Sequence, residues 1–165
     1  MRTILIEPYN PKWQTNFQEI KTFLEKVILS CCLAIEHVGS TAVVGLAAKP
    51  IIDIDIVIDS DFELIKSKLE RLGYYHNGDQ GIKGREVFKY TKTSLATHHL
   101  YVCQKESVEL QKHIAFRNHL RQNPATKEAY ARVKQQAAKM HPHDIDGYLD
   151  VKGKFIEKIY RKLGL

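Results

Sequence analysis

The chain has 165 residues, of which 44% are hydrophobic and 27% charged. That is the length of one domain and an ordinary soluble composition, which excludes a disordered, collagen-like or wholly coiled-coil protein. The formal net charge of +6 is uneven: residues 1–82 hold 8 Lys or Arg against 11 Asp or Glu, and residues 83–165 hold 17 against 8. A basic back half suits an anionic partner or a solvated helical surface.

No apolar run approaches the roughly 18 residues of a membrane span. The start, Met1 to Pro8, has one Arg and an apolar triplet broken by Glu7, unlike a secretory leader. A cytoplasmic location without membrane contact is expected. The three cysteines, Cys31, Cys32 and Cys103, form no Cys-x-x-Cys pair, so they read as small buried hydrophobes rather than disulfide or zinc ligands.

Asn10-Pro11 opens the first helix, with a cap and a proline at the first helical position. Trp13, Phe17, Ile20, Leu24 and Val27 then recur at helical spacing. Leu33 to Val38 reads as a strand, ended by Gly39-Ser40-Thr41, which opens a small turn or helix. Ile51 to Asp59 is the second strand. Asp61 to Leu72 is helical and stops at Gly73. Tyr74–His76, Glu86–Thr91 and Thr97–Cys103 read as strands, with Gly78, Gly81 and Gly84 in the loop between the first two. From Glu106 onward the chain reads as helix, interrupted at Asn123-Pro124 and at His141-Pro142, and closing at Gly164. The order predicts an α+β fold in a single domain over 1–165. A small mixed sheet occupies about 1–104, and a helical half, about 105–165, packs on it.

The strongest chemical signal is Asp53-Ile54-Asp55 in the second strand. Alternation puts Ile52, Ile54, Ile56 and Ile58 on one face and both aspartates on the other. Two adjacent carboxylates on an apolar strand either face water or share a divalent cation. The second signal is the turn Gly39-Ser40-Thr41, whose amides and hydroxyls can hold a phosphate or merely cap a turn. A Gly-Ser turn leaving one strand beside Asp-x-Asp on the next is an arrangement suited to two-metal phosphoryl transfer. It resembles the nucleotidyltransferase superfamily to which DNA polymerase beta belongs. There the turn holds the triphosphate and the aspartates hold Mg²⁺.

The segments Glu36–Val43 and Gly45–Ile54 look like the signature of the GrpB family. So do Glu7–Trp13, Gly81–Arg85, His98–Val102 and Ala115–Arg121. The resemblance covers nearly the whole chain and implies a compact nucleotidyltransferase-like domain, a kind that in some bacteria is joined to dephospho-coenzyme A kinase. Three positions depart from the family pattern: Val44 stands where Pro is common, Tyr101 where His is usual and Asn118 where Asp is usual. Active nucleotidyltransferases also carry a third carboxylate on a neighbouring strand, and Thr97–Cys103 has none. Glu36 and Glu86 are the candidates to replace it.

The resemblance implies Asp53 and Asp55 as ligands of Mg²⁺ (or Mn²⁺), and His99, which with Tyr101 shares a face of the strand that lacks the acid, reads as base or metal ligand. Gly39, Ser40, Thr41, Lys49, Arg85, His113 and Arg117 are the candidates for holding a nucleoside triphosphate or other phosphorylated small molecule. His113 and Arg117 are chosen because they sit four apart on a mostly apolar helix face, where a cation is paired with a buried acid, points into a pocket or lies along the surface. The expected function is transfer of a nucleotidyl group to an unnamed acceptor. The alternatives are a non-catalytic nucleotide- or coenzyme A-binding module, and a metallohydrolase using His99 with the aspartates. No aromatic platform or base-reading motif supports nucleic acid as partner. His141-Pro142-His143-Asp144 reads as a helix cap pair at a proline break, not a metal site.

Overall fold

A computed structural model describes residues 2–165. The elements run α1 (Lys12–Ile28), β1 (Ala34–Val38), a 3₁₀ turn (Ser40–Ala42), β2 (Ile52–Ile58), α2 (Phe62–Arg71), β3 (Tyr74–His76), β4 (Arg85–Tyr90), β5 (His98–Gln104), α3 (Val108–Gln122), α4 (Pro124–Met140) and α5 (Ile145–Lys162). This is the α+β fold expected from the sequence. The five strands form one mixed sheet in the order β1-β2-β5-β4-β3. Only β2 and β5 run parallel; the other neighbours are antiparallel.

The alternation in β2 decides what lies on each side. Ile52, Ile54, Ile56 and Ile58 are all buried in the main core, against Trp13, Phe17, Ile20, Leu24 and Ile28 of α1 and Ile65 and Leu69 of α2. Burying each such side chain stabilises the fold by roughly 1.5–3 kcal/mol. The opposite face is covered by the helical half. Val57 and Cys103 of the sheet meet Leu110 of α3. Phe116 and Leu120 of α3, Tyr130 of α4 and Ile159 of α5 then close a second core over Val43 and Leu46.

The helix ends follow the polar residues that border them. Asn10 Oδ1 accepts from the Lys12 amide at 2.9 Å. Ser107 Oγ accepts from the Leu110 amide at the start of α3, and Asp144 Oδ1 from the Gly147 amide at the start of α5. His141, the residue after α4, pairs with Asp144 at 3.3 Å, so the His-Pro-His-Asp break is a pair of helix caps. Among the described residues no helix is long and apolar enough to cross a membrane.

Candidate functional site

The register of β2 sets out the site. Asp53 lies beside His99 and Asp55 beside Tyr101 on β5, while on β1 Glu36 lies beside Asp55 and Val38 beside Asp53. Asp53 Oδ1 accepts from His99 Nδ1 at 2.9 Å. Its carboxylate packs over Gly39, where φ is +75° and a Cβ would collide with Asp53 Oδ2. Glycine there satisfies both the left-handed backbone and the close approach.

Asp55 behaves differently, because α3 lies over it. It is 0% exposed, which removes the possibility that both aspartates face water. Its Oδ2 accepts from His113 Nδ1 at 2.7 Å, and His113 Nε2 pairs with Glu109 at 3.2 Å. Carboxylates only accept, so both ring nitrogens donate and the ring is an imidazolium. Against the cost of burial, these two partners push His113 up to about 9. Burial pushes the Asp55 carboxyl up, and the His113 bond holds it back.

A cavity of about 570 Å³ opens in front of Asp53, at the junction of the sheet with α4 and α5. Ser40 and Thr41 line it, and the cations Lys49, Arg85, Lys134 and Lys152 converge on it with His99 at the rim. Lys134 is 2% exposed. Its Nζ donates to Ser40 Oγ at 2.8 Å and to the Ala47 carbonyl, with no carboxylate partner. Burial first, then the neighbouring Lys152 and Lys49, hold its amine down to about 7. Lys49 and Lys152 are also lowered, by burial, and in Lys152 by Lys49 as well. Arg85 stacks on the Tyr101 ring at 4.6 Å, and its Nε is buried without a partner. Four cations that share a single nearby carboxylate, Asp53, form a site that a further anion stabilises.

Ser40, Thr41, Lys49, Asp53, Arg85 and His99 therefore meet in one cavity. Gly39, Asp53 and His113 meet in a second recess behind it. Arg117 sits elsewhere: it donates to Glu36 Oε2 at 2.7 Å and to the His37 carbonyl at 2.9 Å, tying α3 to β1. Thr41 Oγ1 is engaged by His37 Nε2 at 2.9 Å, in a His37 ring stacked on Phe17 and lowered by burial to about 4. Sequence reasoning missed Lys134, Lys152 and Glu109. Lys134 had a signal, since it interrupts the stripe Tyr130, Lys134, Ala137 that α4 buries. Lys152 lies among many surface lysines and had none.

A divalent pair at Asp53 and Asp55 needs a third acidic ligand and carboxylate oxygens free to take it. Among the described residues no three His, Cys, Asp or Glu side chains are grouped to hold a metal ion. Glu36 is paired with Arg117, and Glu86 with His76 at 2.7 Å. Asp55 Oδ1 is buried without a hydrogen-bond partner, but its carboxylate is committed to His113 through the other oxygen. The donor set as arranged does not fit a two-ion centre.

Comparison with known proteins agrees with the fold and the motifs. The family model described as GrpB protein matches residues 3–162. The chain is 33% identical over 166 residues to "Glutamate-rich protein GrpB" of Alkalihalophilus pseudofirmus, covering 97% of this chain and 95% of that one. It is 35% identical over 159 residues to "UPF0157 protein YqkA" of Bacillus subtilis, covering 94% of this chain but only 46% of that longer protein. The crystal structure of GrpB from Enterococcus faecalis superposes with a TM-score of 0.79 at 34% identity, covering 94% of this chain and 99% of that one. More distantly, Cid1, a poly(U) polymerase solved with its short product ApU, gives 0.53 at 16% identity over 80% of this chain and 42% of that one, a likeness of fold alone. The chain thus belongs to the GrpB protein family and has a nucleotidyltransferase-like fold.

Proposed function

We propose that this protein binds a phosphorylated small molecule, a nucleoside triphosphate or a coenzyme A-like compound, in the cavity in front of Asp53. The observation that carries the reading is the convergence of Lys49, Lys134, Lys152 and Arg85 on that cavity, with Lys134 buried beside Ser40 and without an acidic partner. Buried cations cost stability unless a ligand or counter-ion meets them. An anionic ligand meets all four at once. Binding, not two-metal nucleotidyl transfer, suits the arrangement best, since an imidazolium already neutralises Asp55 and no third carboxylate joins the aspartates.

The reading is tested by thermal unfolding with ATP, GTP, UTP, CTP and coenzyme A, in EDTA and in Mg²⁺. A ligand at about a hundred times its dissociation constant adds about 2.7 kcal/mol, a rise of several degrees for a chain of this size. A rise that persists in EDTA and disappears in Lys134→Met supports the reading. No rise with any of these ligands would refute it. A second reading, nucleotidyl transfer with Mg²⁺ at Asp53 and Asp55, draws on Gly39-Ser40 lying directly against Asp53. It requires Asp55 to release His113, and predicts a rise only with Mg²⁺, together with pyrophosphate release.

A further inference from the structure

A second chamber, of about 520 Å³, adjoins the lysine cavity and shares Lys49, Ile51 and Ile145 with it. This volume is within the range of small-molecule sites, about 300–1,000 Å³. Its apolar lining comes from Ile4 and Leu5 of the N-terminal segment, Pro50 and Ile51 ahead of β2, and Ile145 at the start of α5, with Arg2, Glu7 and His143 among the polar residues beside them. The N-terminal segment is held in place by backbone bonds, Ile4 to the Pro142 carbonyl and Glu7 with Ala48.

Leu5 is 62% exposed, Ile145 47% and Leu149 44%. Scattered exposed apolar residues need no explanation. These three instead gather at one place, where the chamber meets the cation cavity, since Leu5 and Ile145 line the first and Ile145 and Leu149 the second. Lys49 stands between the two spaces, its ammonium 5.0 Å from the centre of the Tyr148 ring on the cavity side.

From this juxtaposition we propose that the chamber is the second half of one ligand site, and that the ligand is a phosphate or pyrophosphate ester bearing an extended, mostly aliphatic arm. The charged end lies among Lys49, Lys134 and Lys152, and the arm runs past Ile51 and Ile145 into the chamber. Among the described residues the chamber's lining includes no Phe, Tyr or Trp, and its one ring is the exposed His143. A nucleobase is usually held by stacking on such rings, whereas branched aliphatic walls suit a flexible chain. The inference rests on the phosphate-binding reading above and gives it a substrate class.

The test is calorimetric titration of the full chain with three probes, tripolyphosphate, ATP and geranyl pyrophosphate, each repeated with Leu5→Ser and Thr97→Trp. Both residues line the chamber and are exposed, so both variants are expected to fold. Each buried methylene adds roughly 0.8 kcal/mol, about a fourfold gain in affinity. Several of them predict geranyl pyrophosphate binding at least about tenfold more tightly than tripolyphosphate. Both variants should erase that surplus and leave tripolyphosphate binding unchanged. Equal affinity for the two probes, or a surplus that survives both variants, would overturn the proposal. A surplus for ATP but not for geranyl pyrophosphate would also overturn it, by assigning the chamber to a base. Failure of all three probes to bind, with Lys134→Met no different, would instead reject the phosphate site itself.

Discussion

Replacing Lys134 with Met should make the protein more stable and less able to bind phosphate. The amine is 2% exposed and is held near 7, against an ordinary 10.5. At about 1.4 kcal/mol per pH unit, keeping it charged in the folded chain costs on the order of 5 kcal/mol. Methionine has a similar length and no charge to bury. It leaves the Ser40 hydroxyl and the Ala47 carbonyl without their donor, a loss of about 1–3 kcal/mol. The difference favours the variant by roughly 2–4 kcal/mol at pH 6, which for a chain of this length raises Tm by about 4–16 °C. The pH dependence identifies the cause. Between about 7 and 10.5 the unfolded chain holds the Lys134 proton and the folded chain does not, so the parent gains stability as pH rises through that window. The advantage of Lys134→Met should therefore be largest at pH 6 and close to zero near pH 9. Circular-dichroism melts at the two pH values read this directly. A lower Tm for the variant at pH 6 would refute the reasoning, because Lys134 would then be a packing residue rather than a charge held ready for a ligand.

Three further outcomes follow from the same geometry. Binding of tripolyphosphate near pH 7.5 should take up protons, since the anion favours the charged form of Lys134, which sits at about 7 in the free protein. Calorimetry in buffers of different ionisation enthalpy measures this uptake, and affinity should weaken as pH rises from 7 to 8. Arg117→Met removes the donors to Glu36 and to the His37 carbonyl, and should lower stability by about 2–3 kcal/mol. That appears as a lower urea midpoint at unchanged slope, with phosphate binding retained. Gly39→Ala places a Cβ at a left-handed position against the Asp53 carboxylate and should cost about 1–3 kcal/mol. Nitrogen chemical shifts of His99 should show its Nδ1 released from Asp53, and an unchanged His99 signal would contradict this.

The two aspartates of Asp-x-Asp are one motif in sequence and two kinds of residue in the folded chain. Asp53 stands at the cavity edge and orients His99. Asp55 lies beneath α3 and is bonded to an imidazolium that Glu109 also faces. An internal cation occupies the place beside Asp55, and the ammonium and guanidinium groups left without acidic partners stand on the Asp53 side. On the proposed reading the site receives negative charge rather than gathering metal ligands.

Much of this was legible along the chain. The period of two in Ile52–Ile58 reported a strand with one buried face, and the period near 3.6 in Trp13–Val27 reported α1, because burial imposes those repeats on the side chains. The Asn10 and Asp144 borders marked helix starts through local hydrogen bonding, whereas Asn123 bonds back to the His119 carbonyl and leaves the start of α4 to Pro124. Gly39-Ser40 and Asp53 were legible as partners because a short connection joins their strands and allows little other pairing. The sequence alone therefore determined the strands, the helices and the neighbourhood of the turn and the aspartates.

What surrounds those aspartates was decided only by tertiary structure. Whether Asp55 met water, a metal or a helix depended on α3, more than fifty residues away, and on which of its faces turned inward. Lys134 and Lys152 reach Ser40 and Lys49 only because α4 and α5 fold back over the sheet. A lysine on a helix has the same local preferences whether its end lies in solvent or in a pocket. Its neighbours across the fold set the dielectric and the charge it meets, and no periodicity along the chain encodes them.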